Sequence, residues 1–295
     1  MPPDPTRPQV WLLGMPVKHS LSPSFQNVGF RHHELPWEYT LRPVTAEALP
    51  EVLDLLREGR AVRGANVTVP HKEAVAGLVD ELGPDARLVG AVNTVVPRDG
   101  RLVGYNTDVF GFLRLMEGLD SSRQWGRALI LGAGGASRAV VAALARSGVT
   151  SIVVANRSPQ RAEALLASLA EGLREVTCEA IALDALSPSV APELIVHTTS
   201  LGVGAEPGSE AFEQARRVWE RLPWAQWPSA LDVVDICYSA TQTPMVAVAR
   251  RLGLSAVDGL DMLLYQGTRA FELWTQRPAP VEPMRDALYQ AVGRR

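Results

Sequence analysis

The sequence predicts an α/β protein in two parts, each built on a largely parallel sheet. Three observations carry this. Short β-branched apolar runs alternate with helical patterns, a single hairpin signal interrupts the alternation, and the alternation restarts beyond a polar stretch at residues 120–127. With 295 residues, 46% hydrophobic and 21% charged, the chain is long enough for two cores.

In order, the first part reads as the strand QVWLLG, a helix near Phe25, the strand WEYTLRPV, a helix through EALPEVLDLLREG and the strand RGANVTV. Asp99-Gly100 then stands between two alternating runs in AVNTVVPRDGRLVGYN, the signature of a tight hairpin, so the first sheet is mixed. A helix, VFGFLRLMEG, follows, and the change of domain falls near residue 109. The second part runs through RALIL, a helix at ASRAVVAALARSG, the strand SIVVANRS, a helix at PQRAEALLASLAEG, and the strands ELIVHTTS and ALDVVDI, the order of a doubly wound domain. Residues 203–230 form a longer connection with one helix, EAFEQARRVWERL, either a lid or a surface excursion. GLDMLLYQGTRAFELW and VEPMRDALYQAVG read as two final helices that return to the first part.

A formal net charge of −3 supplies no basic field for nucleic acid. No run approaches the ~20 apolar residues of a membrane span, and MPPDPTRPQV has no apolar leader segment, so a cytoplasmic location is expected. Cys178 and Cys237 read as small buried apolar residues rather than a disulfide. His32-His33 lies on a helix without partner ligands, and there is no HExxH motif or Cys/His cluster, so no metal is expected.

The run Gly132-Ala133-Gly134-Gly135-Ala136-Ser137 follows an apolar strand and opens an apolar helix. Glycine allows the tight turn and close backbone approach, and a helix N-terminus offers free N–H groups to a pyrophosphate, so this unit reads as a Rossmann-like dinucleotide site with Ser137 in place of the third glycine. The next strand ends at Asn156-Arg157. A carboxylate there would read a ribose 2′-hydroxyl, whereas a guanidinium can fork onto a 2′-phosphate, which favours NADP over NAD. Arg161, one turn beyond, lies on the same side; alternatively both arginines are solvated surface charges.

Four polar clusters end apolar runs of the first part: HSLSP (19–23), NVTVPHK (66–72), AVNT (91–94) and YNTD (105–108). Strand-end loops are where open α/β sheets bind ligands, and hydroxyls, amides, one lysine and one aspartate suit a small polyhydroxylated carboxylate. Taken with GAGGASRA, ANRS and GLDMLLYQ, these motifs resemble the shikimate dehydrogenase family, in order and over nearly the whole length. The resemblance implies a mixed, mainly parallel N-terminal substrate domain (residues 1–108 with 259–295), a Rossmann-like NADP-binding domain (109–258) and a cleft between them. It implies Lys72 and Asp108 as the catalytic pair. Ser20 and Ser22 would hold the substrate carboxylate, while Thr68, Asn93, Asp108, Tyr238 and Gln266 meet carboxylate or ring hydroxyls. It further implies cofactor contacts by the glycine loop, Asn156, Arg157, Ser158, Arg161, Thr198 and Gly259, and a monomer or homodimer that reduces 3-dehydroshikimate to shikimate on the way to chorismate and the aromatic amino acids.

Independent chemistry supports the pair. Hydride transfer to a ketone creates an alkoxide that needs a proton, and a lysine beside a carboxylate can deliver it. Asp108 also precedes a helix and could be its N-cap; Lys72 could be a solvated first-turn lysine; His71 is a second candidate acid, and His19 a structural donor. His197 stands where the family more often has asparagine, and ICYSATQTP keeps Tyr238 and Thr243-Pro244 but varies between them. The rival functions are an NAD-dependent quinate/shikimate dehydrogenase and a non-catalytic ligand-binding regulator of the same fold. Serine at both Ser20 and Ser22, together with Arg157, favours shikimate and NADP, and a regulator could dispense with the Lys72–Asp108 pair.

Overall fold

The computed structural model describes residues 7–59, 61–119 and 124–294. Met1–Thr6 of the leader reading and Asp120–Arg123 of the polar stretch lie outside them. The chain divides into two compact units, Met1–Gly111 with Leu263–Arg295, and Phe112–Met262.

The first unit contains β1 (Gln9–Gly14), α1 (Ser22–His32), β2 (Glu38–Pro43), α2 (Leu49–Arg57), β3 (Val62–Val67), α3 (Lys72–Ala76), β4 (Glu81–Leu82), α4 (Pro84–Val89), β5 (Thr94–Arg98), β6 (Arg101–Tyr105) and the start of α5 (Asp108–Leu119). Its sheet runs β2-β1-β3-β5-β6-β4. β1 pairs in parallel with β2 and β3, whereas β5 runs antiparallel to both β3 and β6. The hairpin forms at Asp99-Gly100, where both residues have positive φ (50° and 77°), the backbone that Asp-Gly tolerates best. On α2, Leu49, Val52, Leu53 and Leu56 recur at helical spacing and are all buried, so one stripe of this helix enters the core with Leu13, Val67 and Val95.

The second unit continues with β7 (Arg127–Leu131), α6 (Gly135–Arg146), β8 (Ser151–Asn156), α7 (Pro159–Ser168), β9 (Thr177–Ala182), β10 (Leu194–His197), α8 (Glu210–Glu220), β11 (Asp232–Asp235), α9 (Pro244–Arg251) and β12 (Ser255–Asp258). The order is β12-β11-β10-β7-β8-β9, with every pair parallel. Strands buried on both faces read as continuous apolar runs, and Leu129, Leu131, Ile195 and Val233 are fully buried. α9 starts at the Thr243-Pro244 pair, where Thr243 Oγ1 accepts the Val246 N–H (3.3 Å) and proline occupies the first helical turn.

α10 (Leu260–Thr275) and α11 (Val281–Ala291) complete the chain. In the first unit a Cβ at Gly64 would lie 2.3 Å from the Trp274 ring, and one at Gly29 would meet Phe271 (3.0 Å) and Met284 (3.1 Å). Glycine is needed at both sites because the C-terminal helices press directly on the backbone of α1 and β3. No described helix is long and apolar enough to cross a membrane.

Several expectations change. α1 stops at His32 and His33 caps it, so the two histidines do not share a helix. Cys237 is buried as expected, but Cys178 is only half-buried, because β9 is an edge strand. β4, β9, β12, α3, α4 and α9 are additional to the elements read from the sequence.

Candidate active site

At the C-terminal end of β1, Ser20 and Ser22 come together: their hydroxyls are 3.2 Å apart, and Ser20 Oγ accepts the Ser22 N–H at 3.2 Å. Ser22 is buried beside Tyr39, whose hydroxyl donates to Asn66 Oδ1 at 2.8 Å. Burial pushes the Tyr39 phenol far up, so it remains a hydrogen-bond donor. Asn66 Nδ2 in turn donates to the Asn93 carbonyl and Thr94 Oγ1, both at 3.0 Å. Thr68 stands half-buried just after β3, its N–H bonded to the Leu13 carbonyl at 2.8 Å.

Lys72 opens α3 and Asp108 opens α5. Lys72 Nζ donates to Asp108 Oδ2 at 2.6 Å, with only 18% of the lysine and 9% of the aspartate side chain exposed. The other carboxylate oxygen, Oδ1, accepts from Asn93 Nδ2 at 2.8 Å. Asn93 is held as well, since its Oδ1 accepts the Thr107 N–H at 2.8 Å and the Thr94 hydroxyl at 3.0 Å. Thr107 Oγ1 lies 3.5 Å from Gln266 Oε1, which brings α10 to the same cluster. Lys72, Asn93, Asp108 and Gln266 are thus one network.

Asp108 does not cap α5; Asn106 does, its Oδ1 accepting the Asp108 N–H (3.1 Å) and the Val109 N–H (3.4 Å). This leaves both Asp108 oxygens for side chains. Lys72 is not a solvated lysine. His71 is buried with Nε2 2.7 Å from the Val44 carbonyl, a structural bond between α3 and the strand end beyond β2. His19 is exposed. Tyr238 follows β11 in the second unit, half-buried, its phenol raised first by desolvation and then by neighbouring Cys237.

In the second unit the turn after β7 has Gly132 at φ 118°, and a Cβ there would strike Thr198 Oγ1 at 2.7 Å. Ser137, fully buried, bonds Thr198 Oγ1 (2.7 Å) and accepts the Gly134 N–H (2.9 Å), while Thr198 donates to the Leu131 carbonyl (3.0 Å). The residue that breaks the glycine pattern therefore braces the loop. A Cβ on Gly134 or Gly135 would meet nothing within 4 Å, so these glycines answer to no neighbour among the described residues and leave open space over the N-terminus of α6. That space, with first-turn N–H groups from Gly135 and Ala136, fits a pyrophosphate. Beyond β8, Asn156 Nδ2 donates to the Ser158 carbonyl at 2.9 Å, shaping the turn from which Arg157 and Arg161 project, both exposed and without an ion-pair partner among the described residues. Gly259 has a separate reason to be glycine: a Cβ would lie 2.0 Å from the Ile236 carbonyl oxygen.

Sequence reasoning passed over Tyr39, Asn66, Asn106 and Thr107, although Asn66, Asn106 and Thr107 lie inside quoted motifs. It also saw no Cys/His cluster, whereas the structure gathers buried His197, Asp235 and Cys237 within 4.8 Å of one another. Their atoms are hydrogen-bonded among themselves: His197 Nδ1 is 2.8 Å from Asp235 Oδ1, which also accepts the Cys237 N–H at 3.0 Å.

A doubly wound parallel sheet with an open glycine turn, in one chain with a buried lysine–aspartate pair, defines the class of nucleotide-dependent dehydrogenases. Residues 12–95 match the shikimate dehydrogenase substrate binding domain, 117–201 the shikimate/quinate 5-dehydrogenase model and 259–289 the shikimate 5′-dehydrogenase C-terminal domain. The shikimate dehydrogenase (NADP(+)) of Moorella thermoacetica is 43% identical over 96% of this chain and 93% of its own. The Thermus thermophilus shikimate 5-dehydrogenase, solved with NADP(H) and shikimate, superposes with a TM-score of 0.79 at 35% identity, covering 96% of this chain and 99% of the other. A further shikimate dehydrogenase crystallised with NADP+ gives 0.84 at 32% identity over 97% and 96%. The chain belongs to the shikimate dehydrogenase family.

Proposed function

We infer that this protein catalyses the reversible NADPH-dependent reduction of 3-dehydroshikimate to shikimate, a step toward chorismate and the aromatic amino acids. The observation that carries the reading is the buried Lys72–Asp108–Asn93 network in a chain of this family. Bound NADPH supplies the hydride. The first unit does the rest: as negative charge develops on the ketone oxygen, Lys72 Nζ delivers the proton, and in the reverse direction it receives one. Asp108 Oδ2 holds the ammonium in position, and Asn93 fixes the carboxylate that holds it. Ser20 and Ser22 take the substrate carboxylate, with Thr68, Asn93 and Gln266 on carboxylate or ring hydroxyls.

We assign NADP to the second unit. The N-terminus of α6 with Gly132–Ala136 would take the pyrophosphate, Asn156, Ser158, Arg157 and Arg161 the 2′-phosphorylated ribose, and Thr198 and Gly259 the remainder. Two exposed guanidinium groups without carboxylate partners among the described residues, and no acidic residue at the end of β8, support NADP over NAD. A cytoplasmic monomer or homodimer belongs to the same reading.

The test is reduction of NADP+ or NAD+ followed by absorbance, with shikimate or quinate as the alcohol. The shikimate/NADP+ pair is expected to have the highest kcat/KM. Equal or better efficiency with quinate and NAD+ would reassign the enzyme, and no turnover with nucleotide binding intact would favour the regulator.

A further inference from the structure

The second unit's sheet reverses direction between β7 and β10: the chain proceeds β7-β8-β9 one way and β10-β11-β12 the other. Ligands of doubly wound sheets lie beyond the C-terminal strand ends at such a switch point. Two loops meet there, since a Cβ on Gly132 would lie 2.7 Å from Thr198 Oγ1 and 2.8 Å from Thr199 Cγ2. Arg157 and Arg161 are on the β8 side. A dinucleotide whose 2′-phosphate is held on that side must send its nicotinamide half across to β10, where Thr199 is the first half-buried residue after the strand.

Thr199 is anchored from beneath. His197, fully buried, has Nε2 2.6 Å from Thr199 Oγ1 and Nδ1 2.8 Å from Asp235 Oδ1. The carboxylate at Nδ1 requires a proton on that nitrogen, so in the neutral ring Nε2 accepts and the Thr199 hydroxyl donates inward. The Leu201 N–H donates to the same hydroxyl (3.1 Å), and Cys237 Sγ reaches the Thr199 carbonyl at 3.4 Å. The Trp219 ring stands edge-on to the imidazole, with centroids 4.5 Å apart. Side chain and backbone of Thr199 are therefore both fixed. Asp235 Oδ2 is buried with no hydrogen-bond partner among the described residues, a cost that strand packing alone does not explain and that proteins retain mainly where a polar group has a task. Metal ligation is a poorer account of the cluster, because His197 Nδ1 and Asp235 Oδ1 are already committed to each other.

We propose that His197 and Asp235 are positioning residues for the nicotinamide half of NADP, acting through Thr199; this rests on the dehydrogenase reading above. Neither touches the ligand. They set the direction of one hydroxyl and the path of the loop that carries it.

The experiment compares wild type with His197→Phe, which keeps a ring beside Trp219 but removes both hydrogen bonds, and with Thr199→Val, Thr199→Ser and the His197→Phe/Thr199→Val double variant. Each is titrated with NADP+ and with adenosine 2′,5′-bisphosphate, which lacks the nicotinamide half. KM for NADP+ and shikimate and the thermal midpoint are measured alongside. Expected is a roughly tenfold rise in Kd and KM for NADP+ in His197→Phe and in Thr199→Val, the scale of one lost buried hydrogen bond. Adenosine 2′,5′-bisphosphate affinity and KM for shikimate should stay within about twofold, Thr199→Ser should behave as wild type, and the double variant should be no worse than His197→Phe. Equal losses for both nucleotides, or unchanged NADP+ affinity in Thr199→Val, would overturn the proposal while leaving the dehydrogenase intact. A wild type that binds neither nucleotide would remove both readings.

Discussion

Lys72 and Asp108 stand 36 positions apart and share a hydrogen bond because α3 and α5 both begin at the same end of the first sheet. Each Asp108 oxygen has one side-chain partner among the described residues, so the carboxylate cannot rotate without losing Lys72 or Asn93. Removing the lysine takes away the proton donor and leaves a buried carboxylate half-paired. Lys72→Ala is expected to lower kcat by roughly 10² or more with NADP+ affinity retained, measured by steady-state kinetics and nucleotide titration. Unchanged turnover would exclude Lys72 from proton transfer. Arg157 makes a separable prediction: Arg157→Ala should raise KM for NADP+ and leave KM for NAD+ near its starting value, because only NADP carries the 2′-phosphate.

Among the elements, those with strong periodicity were legible in the sequence. The apolar stripe of α2, the double-sided burial of β7 and β10 and the Asp99-Gly100 turn each have a local cause that composition displays. β9 alternates weakly because it is an edge, β12 has four residues, and α3 is five residues long; tertiary pairing rather than local pattern defines them. Polar clusters at strand ends pointed to the site, and Asn106, two residues before α5, is an ordinary local cap, but the buried Asn66–Tyr39 bond depends on a partner that no spacing announces. The same limit hid the pairing of His197 with Asp235, which stand opposite each other on β10 and β11 only through sheet register. One tertiary tie predicts a pH effect. Asp80 Oδ2 accepts the Leu102 N–H at 2.7 Å, and Arg57 from α2 lies beside the carboxylate. The backbone N–H first, and Arg57 second, hold the Asp80 carboxyl below its ordinary range. Because the folded value is depressed, the stabilisation is present above the unfolded-state pKa and is lost as pH falls through the folded one. Thermal midpoints of wild type and Asp80→Asn should differ at neutral pH and converge in acid; a constant gap would assign the effect to packing.

For the whole molecule, ligand linkage should separate the two units. NADP+ in excess, at about 100 times its Kd, stabilises a folded site by roughly 2.7 kcal/mol, and the gain belongs to the unit that binds it. Hydrogen exchange with adenosine 2′,5′-bisphosphate is expected to slow in β7, α6 and β8 and to leave β1 and β3 unchanged; uniform slowing would show that the units open together. Chain order adds a constraint of its own. The second unit is one continuous stretch, whereas the first is interrupted and needs Phe271, Trp274 and Met284 from its far end to cover Gly29 and Gly64. On the ribosome the earliest strands to emerge must therefore wait for the last helices, while the later-made unit can finish first. Protease treatment of nascent chains stalled with Met262 just outside the exit tunnel should spare β7 to β12 and cut β1 to β6, so synthesis and maturation would run in opposite order.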